Sequence, residues 1–359
     1  MSQPIRDLRI RNSQPLITPA VLSDELPVPD SAAALVYEAR RTIAAILAGT
    51  DPRLLVIVGP CSIHDVEAAL EYAHRLRDLA VKLQDSLFTV MRVYFEKPRT
   101  VVGWKGLIND PDLDGSFHIN RGLHLARRFL LDVAAVGLPA ASEFLDTTFG
   151  QYYAELVSFG AIGARTVESQ VHRELVSGLS MPVGIKNRTD GNIDVAIDAM
   201  LAARHSHWFP SLTPEGTPAI LETTGNEDTC LVLRGGKDSG PNFSAPDVRR
   251  AEQKLAAAGL TQLVIVDCSH GNSGGIPERQ IEVLHNLLSQ IEAGNRSIRG
   301  VMLESNLREG KQKPDTRDRL VYGQSITDAC LSMEQSSDLL EEVAACVRSA
   351  ARPTTTGRL

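Results

Sequence analysis

The chain has 359 residues with 37 Lys and Arg against 44 Asp and Glu, a formal charge of −7. That balance excludes wholesale coating of nucleic acid but leaves room for a local basic pocket that binds anions. With 43% hydrophobic, 23% charged and only 5% aromatic residues, the composition is that of a folded globular protein whose core is built from Val, Ile, Leu and Ala.

The opening residues, Met1 to Asp7, place no apolar segment behind a basic patch, so no secretory signal is read there. Residues 1–50 form an N-terminal extension, an extended stretch followed by a helix over 31–48. It is too small to fold alone, so it is expected to dock on the larger C-terminal portion of the chain or on a neighbouring subunit. From 51 to 350 one unit recurs: a short apolar run, a polar break, then a helical pattern. The first such run is Leu54–Gly59 (LLVIVG), and those at 88–95, 138–144, 160–165, 181–186, 230–234 and 262–267 lead to the last, Ile298–Glu304 (IRGVMLE), eight in all. Nearly continuous apolar strands alternating with helices read as a parallel sheet covered by helices. Eight units over ~250 residues is the arithmetic of a (β/α)8 TIM barrel, an α/β fold.

Between the strands, residues 66–83 carry apolar positions at helical spacing, as do 245–258 and 277–293, with Ser244 placed to cap the second of these. Arg121, Arg127 and Arg128 fall on what reads as a solvated helix face. One insertion interrupts the alternation: 207–212 and 218–224 flank Thr213-Pro214-Glu215-Gly216-Thr217, which predicts a β-hairpin at about 205–225, between the fifth helix and the sixth strand. Residues 351–359, with Pro353 and three threonines, read as a frayed tail. No apolar run approaches the ~18–20 residues that span a bilayer, so no membrane partner is expected. The five cysteines are an odd, widely spaced set without a Cys-x-x-Cys pair, which argues for a reducing cytoplasm and against a disulfide framework or zinc finger.

In this architecture chemistry sits at the C-terminal strand ends. Reading those ends gives Cys61 after strand one, Arg92 on strand two with Lys97, Arg99 and Thr100 beyond it, and Glu143 on strand three. Arg165, Lys186 and Arg234 end strands four to six, and Asp267-Cys268-Ser269-His270 and Glu304 follow on strands seven and eight. Unpaired buried cations are costly, so their convergence implies anionic ligands, phosphate or carboxylate. Strand-end arginines also pair with barrel carboxylates, which leaves Arg165 and Arg234 open between the two roles. Cys61, His270, Glu304 and Asp328 share the same rim, a mixed sulfur, nitrogen and oxygen donor set suited to manganese, iron, cobalt or zinc. Singly, each has an ordinary structural explanation: a small buried thiol, a core histidine, helix-capping acids. Their coincidence on one rim lifts the set.

Several long motifs carry a resemblance: Gly59-Pro60-Cys61-Ser62-Ile63-His64-Asp65, residues 91–115 (MRVYFEKPRTVVGWKGLINDPDLDG), 160–170 (GAIGARTVESQ), Arg234-Gly235-Gly236-Lys237, 267–272 (DCSHGN), Glu304-Ser305-Asn306 and 322–330 (YGQSITDAC). The chain resembles type I 3-deoxy-D-arabino-heptulosonate 7-phosphate (DAHP) synthases of the aromatic-amino-acid-regulated subgroup, from about residue 5 to about residue 350. The resemblance implies condensation of phosphoenolpyruvate with erythrose 4-phosphate at the opening of the shikimate pathway, in a cytoplasmic homodimer or homotetramer whose N-terminal segment crosses a subunit interface. It implies one divalent metal ion, Mn2+ foremost and Fe2+, Co2+ or Zn2+ as alternatives, on Cys61, His270, Glu304 and Asp328. Arg92, Lys97, Glu143, Arg165, Lys186 and Arg234 match the phosphoenolpyruvate site, and Arg99 and Thr100 the erythrose 4-phosphate contacts. Lys97 is the leading proton donor, its pKa expected to be lowered by the surrounding cations, with His270 as the alternative.

The same resemblance implies a feedback cavity for an aromatic amino acid at Gln151, Leu175, Leu179, Phe209, Ser211 and Leu221. Here the chain departs from its relatives: Gly150 replaces a common Pro, Leu221 a smaller branched residue and Arg188 a usual Gly, and residues 237–243 run longer. Ser211 stands where tyrosine-inhibited relatives tend to have Gly, which points to phenylalanine or tryptophan. Two rival readings stay open from sequence. One is the related 3-deoxy-D-manno-octulosonate 8-phosphate synthase, against which the long segment 97–115 and the hairpin count. The other is a catalytically silent amino-acid sensor, against which the intact rim counts.

Overall fold

The computed structural model describes residues 5–351, so the tail read at 351–359 lies, past its first residue, outside the described part. Eight parallel strands close into a barrel: β1 (Leu54–Gly59), β2 (Leu87–Arg92), β3 (Ala140–Glu143), β4 (Phe159–Ile162), β5 (Val183–Lys186), β8 (Thr229–Leu233), β9 (Val264–Asp267) and β10 (Ile298–Glu304). Closure is the pairing of β1 with both β2 and β10, in a register that sets Gly59 beside Glu304. The runs read from sequence match these strands, but several stop sooner. β2 ends at Arg92 and not at residue 95, and β4 ends at Ile162, three positions before Arg165. Functional side chains therefore divide between strand ends and the loops above them.

Alternation along the strands splits the apolar residues into two layers. Leu55, Ile57, Val90, Ala141, Phe159, Val232, Ile265 and Met302 fill the barrel interior. Their neighbours Leu54, Val56, Val58, Met91 and Leu231 face outward and bury the inner stripes of the helices. Those helices are α3 (Val66–Lys82), α4 (Ile119–Val136), α5 (Gly150–Tyr153), α6 (Gln170–Gly178), α7 (Asp194–Ala203), α8 (Ala245–Ala257), α9 (His270–Ser273), α10 (Arg279–Glu292) and α11 (Met333–Ala351). Local chemistry fixes their starts: the Asp65 carboxylate accepts from the N–H groups of Glu67 and Ala68, and Ser244 caps α8 as expected.

The N-terminal extension supplies α1 (Pro19–Glu25) and α2 (Asp30–Leu47). Ile43 and Ile46 of α2 are fully buried and join the interior layer, so this helix plugs the N-terminal mouth of the barrel. The extension also overturns one reading of α4. Arg121 and Arg128 are exposed, but Arg127 is 1% exposed, donating to Leu26 O and Tyr152 O and pairing with Glu155 at 2.6 Å. Periodicity gave that face to solvent, because no local signal reveals that another segment covers it. The insertion forms the expected hairpin, β6 (Trp208–Leu212) against β7 (Pro218–Glu222).

Candidate active site

Five strands end on buried charged residues: Arg92, Glu143, Lys186, Asp267 and Glu304. Four of these pair across the barrel. Arg92 meets Glu304 at 3.0 Å and Lys186 meets Asp267 at 2.9 Å. Arg92 also lies over the Tyr94 ring at 3.9 Å, and its Nη1 is buried without a partner. The ambiguity attached to Arg165 and Arg234 thus falls on other residues. Among the described residues, the Arg165 and Arg234 side chains, one to three positions beyond their strands, donate only to the carbonyls of Pro98 and Gly235. Side chains in the strand-end layer reach each other across the narrow interior, whereas those in the loops stand above it and keep their forks free.

Above this layer opens a cavity of about 300 Å³. Lys97, Arg99, Arg165, Lys186 and Arg234 line it with Glu143, His270 and Asp328, and Lys311, Thr189 and Thr327 also stand on its wall. Glu143 Oε1 is buried with no partner. A side chain at Gly163 would collide with that carboxylate, so the loop approaches closely only because a glycine stands there. Arg92, Cys61 and Glu304 sit behind the wall, and Thr100 is exposed and off it.

Ligand atoms of Cys61, Glu304 and Asp328 lie within 4.8 Å of one another. The Cys61 thiol is 3.4 Å from Asp328 Oδ2, and His270 Nε2 is 3.7 Å from Glu304 Oε1. The other ring nitrogen of His270 is 3.0 Å from Asp267 Oδ2, close enough for charge attraction but without hydrogen-bond geometry. Burial, reinforced by Glu304, pushes the Cys61 thiol up to about 12. Asp328 would rise on burial alone, but Lys97 and His270 hold it down at about 2. A thiol, an imidazole and two carboxylates crowded together fit a divalent cation, which would relieve their mutual repulsion.

Lys97 corrects the sequence reading. Burial pulls its pKa down, but Cys61, Glu304 and Asp328 outweigh that and hold the ammonium above the ordinary lysine value. Lys97 Nζ is 3.9 Å from Asp328, so its nearest charged company is the acidic donor set and not the arginines.

Sequence reasoning missed what holds this geometry. Asn187 accepts from Arg234 N and donates to Gly235 O, Asn272 accepts from Asn242 N and donates to Asp267 O, and Gln280 grips both backbone groups of Glu304. His270 itself has φ 55°, a conformation non-glycine residues rarely adopt. The charge of Asp267 at the end of an apolar strand was a usable signal. Lys311, in an exposed loop, gave none.

A model described as the DAHP synthetase I family matches residues 26–341. The chain belongs to that family. It is 53% identical over 343 residues to the Phe-sensitive phospho-2-dehydro-3-deoxyheptonate aldolase of Escherichia coli K12, covering 96% of this chain and 97% of that one. It is 52% identical over 341 residues to the Trp-sensitive enzyme of Enterobacter agglomerans, covering 95% and 97%. The solved aldolase from Francisella tularensis SCHU S4 superposes with a TM-score of 0.94 at 48% identity, covering 96% of this chain and all of that one.

A second cavity, about 570 Å³, lies between α5, α6 and the hairpin. Of the residues expected in the family's feedback site, Gln151, Leu175, Leu179, Phe209 and Leu221 line it, together with Gly150, Ser180 and Arg40. Ser211 does not. It shares a pleat face with Phe209 but sits two pairs nearer the hairpin tip, opposite Ala219, beyond the wall.

Proposed function

We propose that the chain condenses phosphoenolpyruvate with D-erythrose 4-phosphate and water, giving DAHP and phosphate, under feedback inhibition by an aromatic amino acid. The observation that carries this reading is the ring of cations, Lys97, Arg99, Arg165, Lys186 and Arg234, around one cavity beside the Cys61, His270, Glu304 and Asp328 donor set. Two phosphorylated substrates need such a ring. Arg165 and Arg234, whose forks are not spent on carboxylates, take the phosphoenolpyruvate phosphate, while Lys97 and Lys186 face its carboxylate with Arg92 behind. Arg99 takes the sugar phosphate; Thr100, next in the same loop, is its second contact from outside the cavity wall.

When bound by Cys61, His270, Glu304 and Asp328, a divalent ion, Mn2+ foremost with Fe2+, Co2+ or Zn2+ as alternatives, supplies Lewis-acid polarisation of the aldehyde oxygen. Held by the cationic clamps, the methylene carbon of phosphoenolpyruvate attacks the aldehyde carbon. Lys97, kept charged by its acidic neighbours, donates its proton to the resulting alkoxide. Water then adds to the neighbouring cationic carbon, hydrogen-bonded to Glu143 Oε1, and returns one proton to the Lys97 amine; the remaining hydroxyl proton leaves with phosphate as the carbon–oxygen bond breaks and the ketone forms. His270 Nδ1 lies 3.0 Å from Asp267 Oδ2 without forming a hydrogen bond among the described residues, so His270 stays the alternative carrier of a proton in this step.

The second cavity takes the effector. Phenylalanine and tryptophan are favoured through Ser211 alone, and with Ser211 off the wall that ground falls away, so all three aromatic amino acids are carried into the test. A homodimer or homotetramer accounts for the exposed Ile5, Leu8 and Ile10 of the N-terminal segment and for Trp208 and Ile220 on the hairpin. The test is phosphate release from phosphoenolpyruvate with erythrose 4-phosphate, with and without chelator and with each aromatic amino acid. Turnover with arabinose 5-phosphate in place of the four-carbon sugar, or none with added manganese, would defeat the reading.

A further inference from the structure

At the opposite end of the barrel from the candidate active site lies a third cavity, about 200 Å³. Its wall is formed by the starts of β1 and β10 and the ends of α10 and α11, with Leu54, Ile291, Ile298 and Val347 as apolar surface. Three arginines also line it: Arg53, Arg296 and Arg299. Arg53 is satisfied by Asp51 at 2.6 Å. Arg296 is exposed to solvent and donates to Ile291 O and Ala350 O, so it is anchored, with no carboxylate partner among the described residues. Among the described residues Arg299 finds no acceptor and no carboxylate within 4.0 Å, and its Nε is buried and unpartnered. Burial and then the neighbouring Arg296 hold it below the ordinary arginine range. Only the Nε of this half-buried side chain is cut off from water, and an anion in the cavity would supply the hydrogen bond it lacks.

We propose that this cavity is a binding site for a small organic anion, a carboxylate or phosphate on a short apolar body, held at its charged end by Arg299 and Arg296. The apolar walls exclude a bare hydrated ion as the best-fitting occupant, and the two uncompensated guanidinium groups set the sign of the charge. The position is separate from both cavities described above, so occupancy here does not require blockage of either.

The probes are benzoate and phenyl phosphate, with neutral benzamide as control, applied to the full-length protein saturated with phosphoenolpyruvate and with phenylalanine. Both anions should raise the melting temperature saturably while benzamide does not, and crystals soaked in either should show it between Arg299 and Arg296. Arg299→Gln should weaken binding by about tenfold or more. Arg299→Lys keeps the charge but loses the fork, and should fall between the two; it also serves if the glutamine variant folds poorly. Neither variant should change turnover without the anion. Equal shifts in wild type and Arg299→Gln, density only elsewhere, or no saturable binding of either anion would overturn the proposal.

Discussion

Glu96 offers a sharp test of the electrostatics beneath the candidate active site. It is 3% exposed, directly precedes Lys97, and accepts a hydrogen bond from Asp146 N at 3.3 Å. Burial, with the charges of Asp146 and Glu143 added, raises its carboxyl from 4.5 to about 8. The folded state therefore keeps the proton that the unfolded chain releases. The associated stability is complete below about pH 4.5 and is lost progressively as pH climbs to about 8. At about 1.4 kcal/mol per pH unit the interval is worth up to about 5 kcal/mol, which local relaxation and water entry reduce to about 2–3 kcal/mol. Glu96→Gln replaces the acid with a neutral group of the same shape. Urea-unfolding curves at several pH values should show the variant within about 1 kcal/mol of wild type at pH 5 and more stable by about 2–3 kcal/mol at pH 8.5. Other titrations cancel in the difference between the two proteins. A difference that does not vary with pH, or that favours wild type as pH rises, would refute the placement of a protonated acid there.

Cys61→Ala should weaken divalent-metal binding by about a hundredfold, seen as metal content after dialysis, and abolish turnover while leaving the fold intact by circular dichroism. Arg165→Ala and Arg234→Ala should each raise the KM for phosphoenolpyruvate by about 10–100-fold, whereas Lys97→Ala should act mainly on kcat; steady-state kinetics separates the two. Arg127→Met removes a buried cation that holds three partners, and should destabilise the fold by about 3 kcal/mol in denaturant titration. Leu221→Asp should abolish aromatic feedback in inhibition assays with little effect on uninhibited turnover, because this half-buried hairpin residue lines the second cavity and stands outside the barrel core.

The barrel was legible because its physics is local. LLVIVG and IRGVMLE can only be strands buried on both faces, and Asp65 and Ser244 mark helix starts through their own hydrogen bonds. The strand-end rule then placed Cys61, Glu304, Lys186 and Arg234 on one rim before any distance was known. Who pairs with whom was not legible. Arg92 with Glu304, and Lys186 with Asp267, join residues far apart in sequence, and only closure of the barrel brings them within 3.0 Å. Lys97 was misread for the same reason: its cationic neighbours are close in sequence, but its acidic ones are close in space. Arg127 was given to solvent because helical periodicity reports a face and not what covers it.

Sequence by itself therefore determined the architecture, the family and the membership of the rim, since apolar runs, caps and long motifs are properties of contiguous residues. Tertiary structure decided the electrostatics: which cations are spent on carboxylates, which stay free for anionic ligands, and which acid keeps its proton. Coulomb energies depend on separation and burial, and neither exists until the barrel closes.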